Sequence, residues 1–211
     1  MKNILSLLLS LSLTTTFAQS VLYVNVNATG ANNGSSWANA RSNLSDALAA
    51  AQAGDEIWVA QGTYRPTRDS NHLPVSTRYA TFRLKDSVKM YGGFTGTETQ
   101  KAQRKHRQNP TILSGNINNP VTDTDNVYSV VYAVGNLSRQ TRLDGFTITE
   151  GYADSFPAGP ILLRIPEGCG GGIFGRGSLN LFTWRIPRSM CRQIKRTGLQ
   201  PIIISRMASS L

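Results

Sequence analysis

Paired carboxylates are the first candidates for chemistry in this sequence. Glycoside hydrolysis needs two carboxyl groups that converge on one bond. Asp144 and Glu150 flank a short apolar run in "LDGFTITEG" and are the only acids beside a late strand. Asp144 precedes Gly145, however, and an Asp-Gly pair is an ordinary turn signal. The pattern therefore predicts no catalytic pair of carboxylates.

Basic residues and histidines are the next candidates, because the deprotonated form of such a side chain can act as a general base. Lys85, Asp86 and Lys89 are close together in the sequence, and we interpret them as a solvated corner. His72 and His106 lie in polar stretches without a nucleophile beside them. No catalytic residue is predicted.

One short segment resembles a cation-binding loop. "DTDN", residues 123–126, offers side-chain oxygens at alternate positions, as calcium loops do. The segment lacks the other ligands of an EF-hand, so we favour a polar loop. We predict no cofactor and no metal site, with Ca²⁺ at this loop as the alternative.

Three aromatic residues are candidates for contact with sugars. Trp37, Trp58 and Tyr64 could form a stacking platform, because exposed rings suit amphipathic ligands. The favoured alternative is that one or two of them seal the amphipathic helix predicted near residues 44–53 against the first coil of strands. Both interpretations stay open at this point.

The N-terminus predicts export. Lys2 is followed by an apolar segment over residues 4–13 and by Thr16-Phe17-Ala18, which fits a cleavage site with small residues. We predict a signal peptide over residues 1–18, cleaved near Ala18, and a secreted or cell-surface protein. The apolar segment is too short for a membrane span, which needs about 20 residues.

Charge is distributed unevenly along the chain. The formal net charge is +10, yet all 12 acidic residues precede Cys169, and the chain beyond it carries cations only. The body of the chain is nearly balanced, which argues against a nucleic-acid partner. Cys169 and Cys191 could form a disulfide in an oxidising compartment.

Short β-rich runs and one amphipathic helix make up most of the chain. "SNLSDALAAAQAGD" predicts a helix that Ser42 or Asn43 caps and Gly54 closes. Apolar runs follow it, many of them ending in glycine or asparagine turns. Their ranges are 21–26 before the helix, and 57–60, 79–84, 88–91, 111–113, 127–134, 143–149 and 173–174 after it. Several starts are roughly twenty residues apart, which suits a parallel β-solenoid; an antiparallel sandwich or barrel is the alternative.

Several segments resemble a known family. "YVNVNATGANNGSSWANA", "LSDALAAAQAGDEIWVAQGTYRP", "ATFRLKDSVKMYGGFTGTET", "NPTILSGNI" and "LDGFTITEGYA" are similar to the N-terminal part of right-handed parallel β-helix proteins of the pectate-lyase-like superfamily. The nearest likeness is to large exported proteins of Bacteroidetes-type bacteria with "GGGI" segments. The resemblance implies an all-β fold, a right-handed parallel β-helix over residues 19–181 with a short N-terminal capping helix. It also implies that Ile57 and Val59 face the core while Trp58 faces outward.

The C-terminal segment departs from that family pattern. Residues 182–211 contain no β-helix repeat, and we interpret them as an aberrant basic tail, translated out of frame in a truncated protein. The alternative is a real basic segment that binds anionic glycans, lipid or nucleic acid. The stretch 157–166 resembles an inserted loop.

The resemblance implies several functions. The first is a non-catalytic, exported domain of an adhesin-like surface protein that contacts polysaccharides, cell-surface glycans or other cells. The alternative is a fragment of a polysaccharide lyase or glycoside hydrolase. The ligand and the oligomeric state are not predicted.

Overall fold

The computed structural model describes residues 19–153, 171–176 and 202–204, the last of these as backbone alone. These residues are mostly strands in parallel sheets, with one α-helix among them. This confirms the strand-rich part of the prediction. The elements are β1 (Val21–Val24), α1 (Leu44–Ala50), β2 (Glu56–Ala60), β3 (Gly62–Tyr64), β4 (Phe82–Arg83), β5 (Lys89–Phe94), β6 (Thr111–Ser114), β7 (Val131–Val134), β8 (Arg142–Asp144), β9 (Phe146–Thr149), β10 (Ile173–Arg176) and β11 (Ile202–Ile204).

The strands are distributed over three sheets. The first sheet has the order β1-β2-β5-β8, the second β11-β9-β6-β3 and the third β10-β7-β4. From β2 to β10, successive strands enter the first, second and third sheets in rotation. Among the described strands, every pairing is parallel except that of β11 with β9.

Equivalent side chains stack in register along each sheet and form the core. Ile57, Met90 and Leu143 occupy one register row of the first sheet. The second sheet contributes a row of Tyr64, Leu113 and Ile148, and the third a row of Phe82, Val131 and Ile173. All of these belong to or pack against one apolar cluster. Burying each large side chain stabilises the fold by roughly 1.5–3 kcal/mol.

The helix α1 begins where the sequence predicts. The Asn43 side chain accepts a hydrogen bond from the Ser45 amide at 2.8 Å and so caps the first turn. Leu44, Ala47 and Leu48 are buried in the apolar cluster. The Lys85 ammonium donates to the carbonyls of Ala49 and Ala51, which would otherwise lack partners at the C-terminal end. The predicted helix is therefore present, and it packs against β1, β2 and β4.

Several predicted strands have different bounds in the structure. The run 143–149 divides into β8 and β9 at Gly145, which has a φ of +83°. The runs 79–84 and 127–134 shrink to the short strands β4 and β7. The sequence did not predict β3, and it did not predict β11 within the tail.

Some sequence predictions fall outside the described residues. These are the signal peptide at residues 1–18, the Cys169–Cys191 disulfide, the inserted loop at 157–166 and, apart from β11, the tail at 182–211. Over the part of the chain that is described, no helix is long and apolar enough to cross a membrane.

Candidate ligand-contact surface

The outer face of the first sheet carries a row of aromatic residues. Tyr23, Trp58, Tyr91 and Asp144 are register partners on β1, β2, β5 and β8. Because side chains alternate along a strand, this row points away from the core residues Ile57 and Met90. Trp58 therefore faces outward from the main core, as the period of the strand predicts.

This outer row is covered by loops. Trp58 stacks on Phe94 with ring centroids 4.9 Å apart, and its indole N–H donates to Glu56 Oε2 at 2.9 Å. Trp37 packs edge-on against Tyr23, and its indole N–H donates to the Glu98 carbonyl at 2.8 Å. As a result Trp58 is only 6% exposed.

Tyr64 belongs to a different environment. It lies in the main core and is 3% exposed. Its hydroxyl donates to the Ala60 carbonyl at 3.0 Å and accepts from the Val26 amide at 3.3 Å. Burial raises the pKa of Tyr64 to about 12.

The proposed platform of Trp37, Trp58 and Tyr64 is thus not formed in this structure. Trp58 and Tyr64 are buried in separate clusters, and Trp37 is only partly exposed. The physical reason is that the loop carrying Glu98 folds back over the first sheet and that Tyr64 shares the inward register row of the second sheet. The contacts of Trp37 with Glu98 and of Tyr64 with Leu113 both join residues that are far apart in the sequence, so no local pattern could predict them.

Two ion pairs lie on the same outer face of the first sheet. Lys101 Nζ lies 2.7 Å from Glu56 Oε1, and Arg104 Nη2 lies 3.0 Å from Asp144 Oδ1. Both cations also lie over the Tyr91 ring, 4.5 and 5.1 Å from its centroid. Burial acts to raise the pKa of Glu56, but hydrogen bonds from Lys101 and Trp58 outweigh it, so this pKa is lowered from its ordinary value of 4.5.

This electrostatic arrangement does not suit acid–base catalysis. Glu56 and Asp144 lie two strands apart and are offset by two register positions, so their Cα atoms are on the order of 12 Å apart, beyond the carboxyl separation of about 6.5–9.5 Å in an inverting glycosidase pair. A general acid also needs a raised pKa, and that of Glu56 is lowered. Asp144 is held by Arg104. The network holds the loop on the sheet.

Of the other residues considered for catalysis, Lys85, Asp86 and Glu150 have structural partners, whereas His106 Nε2 is buried without a hydrogen-bond partner. Lys85 binds carbonyls of α1, and Asp86 Oδ1 accepts from the Ser138 amide at 2.6 Å. Glu150 accepts a hydrogen bond from the Ser114 hydroxyl. His72 lies in a bend between β3 and β4, with a φ of +61° that a regular strand does not adopt. The structure brings Lys85 within electrostatic reach of His72, whose pKa is lowered by burial and by this cation.

A surface groove of about 370 Å³ adjoins the start of α1. It is lined by Val26, Ser42, Asn43, Leu44, Thr63, Tyr64 and Arg65. Its main polar groups already have partners: Asn43 caps the helix and donates to Thr67 Oγ1, and Arg65 Nε donates to the Asn116 carbonyl. The groove therefore offers a ligand few unsatisfied groups.

An exposed aromatic surface lies elsewhere, beside the third sheet. We call Arg78, Tyr79, Tyr128 and Tyr152 the tyrosine–arginine surface. The Arg78 guanidinium lies 4.1 Å from the Tyr128 ring centroid and 5.6 Å from that of Tyr152. Tyr79 packs on Tyr128 at 5.3 Å and is 49% exposed, and Tyr152 is 37% exposed.

Backbone contacts fix the position of these rings. The Arg78 side chain donates to the carbonyls of Asn126 and Tyr152, both at 2.7 Å, and the Tyr128 amide donates to the Arg78 carbonyl at 2.9 Å. The surface is therefore held in place before any ligand arrives. Sequence reasoning missed it because its members come from three separate segments and share no short-range pattern.

Candidate metal ligands were also compared with the structure. Within the described ranges, no group of three or more His, Cys, Asp or Glu side chains could hold a metal ion. The segment 123–126 lies in the loop between β6 and β7, and it carries buried oxygen atoms without partners at Asp125 and Asn126.

Comparisons with known proteins leave the function to be argued from the structure. No family model matches this sequence, and neither curated proteins nor solved structures give a match.

Proposed function

We propose that the chain folds as a right-handed parallel β-helix of the pectate-lyase-like type, with α1 covering one end of its core. The rotation of β2 to β10 through three parallel sheets supports this, because a coil that repeats three strands produces that strand order. The in-register rows of Ile57, Met90 and Leu143 are the inward stack that such a fold requires.

The proposed function is contact with glycans by an exported, non-catalytic surface domain. The observation that carries it is the tyrosine–arginine surface, where Tyr79 exposes nearly half of its area on a fixed backbone. Aromatic rings with an apolar face and a polar edge suit sugars, which expose both C–H and O–H groups. Signal-peptide features at residues 1–18 support export.

The ion-paired acids of the first sheet favour binding over catalysis. Glu56 and Asp144 each have a cation within 3.0 Å, and both lie under the loop that contains Lys101 and Arg104. A catalytic assignment would require that this loop leave the sheet before substrate could enter.

The test is affinity electrophoresis of the full chain through gels containing neutral or uronate-rich polysaccharide. We expect retardation by at least one polysaccharide, and a several-fold weaker retardation for Tyr79→Ala. Leu73→Ala is the matched control, because Leu73 is also a large exposed apolar residue but lies outside the surface. Parallel assays for new reducing ends and unsaturated products should stay negative.

Two results would overturn this function. One is retardation by a polysaccharide that Tyr79→Ala leaves unchanged. The other is cleavage of a polysaccharide by the wild-type chain, which would favour the lyase or hydrolase alternative. Absence of retardation by any glycan tested would also count against the proposal.

A further inference from the structure

The tyrosine–arginine surface contains one cation, and contacts within the protein already engage it. Of the four residues of this surface, Arg78 alone carries a charge. Its Nε and Nη2 atoms donate to the carbonyls of Asn126 and Tyr152, both at 2.7 Å. Arginine recognises a carboxylate best through two parallel N–H groups of the guanidinium, and one such edge is occupied here. A ligand carboxylate would have to displace a backbone carbonyl to use that edge.

The guanidinium of Arg78 also stacks on the rings of the surface. Its central carbon lies 4.1 Å from the ring centroid of Tyr128 and 5.6 Å from that of Tyr152. The electron-rich face of an aromatic ring attracts a cation at such distances. The charge of Arg78 therefore serves to order these two rings.

Two acidic residues lie in the segment that Arg78 contacts. Asp123 is exposed, and its Oδ1 atom accepts a hydrogen bond from Asn126 Nδ2 at 3.3 Å. Asp125 directly precedes Asn126, and its Oδ2 atom accepts from the Asn119 amide at 3.0 Å. Both carboxylates therefore belong to the same short turn as the Asn126 carbonyl that binds Arg78.

A third acid and a second cation adjoin this region. Glu150 lies two residues before Tyr152, which belongs to the surface. Arg65 reaches the start of the loop between β6 and β7, where its Nε atom donates to the Asn116 carbonyl at 2.6 Å. Together with the two aspartates, and among the described residues of these segments, three carboxylates thus accompany two guanidinium groups. The local charge is negative, although the formal net charge of the whole chain is +10.

We propose that the tyrosine–arginine surface binds uncharged glycans and discriminates against glycans that carry uronate groups. This rests on the proposed function, because it names the class of glycan that the same surface takes. The ring of Tyr79, which is 49% exposed, offers its face to the C–H groups of a pyranose, and this contact needs no charge on the ligand. A uronate finds the Nε–Nη2 edge of Arg78 occupied and meets a surplus of acidic groups, and like charges across an interface are unfavourable.

The experiment compares polysaccharides that share one backbone and differ in charge. Hydroxyethyl cellulose is paired with carboxymethyl cellulose, and methyl-esterified homogalacturonan with its de-esterified form. The full chain, Tyr79→Ala and Leu73→Ala are run through gels containing each of these by affinity electrophoresis. Because a chain with a net charge of +10 is retarded non-specifically in any anionic gel, the readout is the part of the retardation that Tyr79→Ala loses.

We expect this Tyr79-dependent part to be several-fold larger with the uncharged member of each pair. Added NaCl should leave it unchanged there, because a ring contact with a neutral sugar is not screened. The non-specific retardation by the charged member should fall as NaCl increases. Leu73→Ala should behave as the wild type does with every polysaccharide.

Two further variants test the role of the acidic groups, each with and without Tyr79→Ala. Asp123→Asn removes one negative charge and keeps the oxygen that accepts from Asn126, so it should increase the Tyr79-dependent retardation by the charged polysaccharides. Asp86→Asn is the control, because Asp86 lies at the corner between β4 and β5, where its Oδ1 atom accepts from the Ser138 amide. It should leave the retardation unchanged.

Failure of this inference can be told apart from failure of the proposed function. A Tyr79-dependent retardation that is equal or larger with the charged members would overturn the preference for uncharged glycans, while glycan contact would stand. Equal effects of Asp123→Asn and Asp86→Asn would overturn the discrimination by acidic groups. If no polysaccharide gave a Tyr79-dependent retardation, both the inference and the proposed function would be wrong.

Discussion

Glu56 illustrates how a buried charge is tolerated on the outer face of a sheet. The residue is 4% exposed, yet its two carboxylate oxygens accept from Lys101 and Trp58. The strand period predicted that Trp58 would point outward, and this is correct because alternation is local. The sequence could not predict that a loop carrying Lys101 covers it, since 45 residues separate the partners of that ion pair.

The pH dependence of stability follows from this pair. The folded-state pKa of Glu56 is below its ordinary value of 4.5, so its contribution is full above that pH and is lost as pH falls through the folded pKa. We expect Glu56→Gln to lower the free energy of unfolding at pH 7 by about 1–3 kcal/mol. The difference from wild type should shrink below pH 4.5.

Urea unfolding from pH 3 to pH 7 measures this difference. Asp46→Asn is the control, because Asp46 forms a more exposed ion pair with Arg68, and such pairs contribute about 0–1 kcal/mol. If the free energies of unfolding of the wild type and Glu56→Gln differed by the same amount at every pH, the assignment of this pH dependence to Glu56 would be wrong.

Elements with a strong local signal were predicted well. The helix α1 has both a capping side chain and a periodic apolar face, and it begins where predicted, but it ends at Ala50 with Ala51 as its C-cap and not at Gly54. β3 was missed because its three residues include Gly62 and Thr63 and offer no apolar alternation. The assignment of strands to sheets depends on contacts between strands that are far apart in the sequence, which no single segment encodes.

The turn at the end of β5 gives a prediction about an element. Gly93 has a φ of +96°, and a Cβ there would lie 2.5 Å from His106 Cα. The Lys105 amide donates to the Gly93 carbonyl at 2.7 Å, so the returning loop cannot easily move away. We expect Gly93→Ala to lower the free energy of unfolding by about 3 kcal/mol or more.

Gly54 provides the matched control. Its φ of +98° is nearly the same, but nothing lies within 4 Å of an added Cβ. Gly54→Ala should therefore cost only the conformational strain, about 1 kcal/mol. Equal losses in the two variants, measured by urea unfolding, would show that the loop does not press on Gly93.

At the scale of the whole molecule, the sequence predicted the parallel, strand-rich organisation but not the position of β11. Its backbone pairs antiparallel with β9, from Ile202 opposite Ile148 to Ile204 opposite Phe146. The sequence interpretation treated residues 182–211 as contributing nothing. Composition could not reveal this pairing, because it joins segments more than 50 residues apart.

Deletion of residues 182–211 tests whether the pairing of β11 with β9 stabilises the fold or whether this segment contributes nothing to stability. Without β11, one edge of β9 has unpaired amides and carbonyls, and open edges promote association between chains. We expect the deletion to lower the Tm by several degrees and to increase light scattering. Ile203→Pro in the full chain, which removes one backbone donor, should act in the same direction. Unchanged melting and scattering would restore the original interpretation.

The register of the first sheet is preserved although the stretches between its strands differ in length. The stretch from Lys89 to Arg142 is longer than that from Glu56 to Lys89, yet each advances the chain by one parallel strand. The additional residues leave the sheet in loops such as 116–126, whose base is closed by the Val127–Gly115 hydrogen bond. Because a longer surface loop adds little closure entropy, such positions are suited to the insertion of foreign peptides or whole small domains. The chain would then serve as a display scaffold on which inserts that follow neighbouring parallel strands lie side by side at a spacing fixed by those strands.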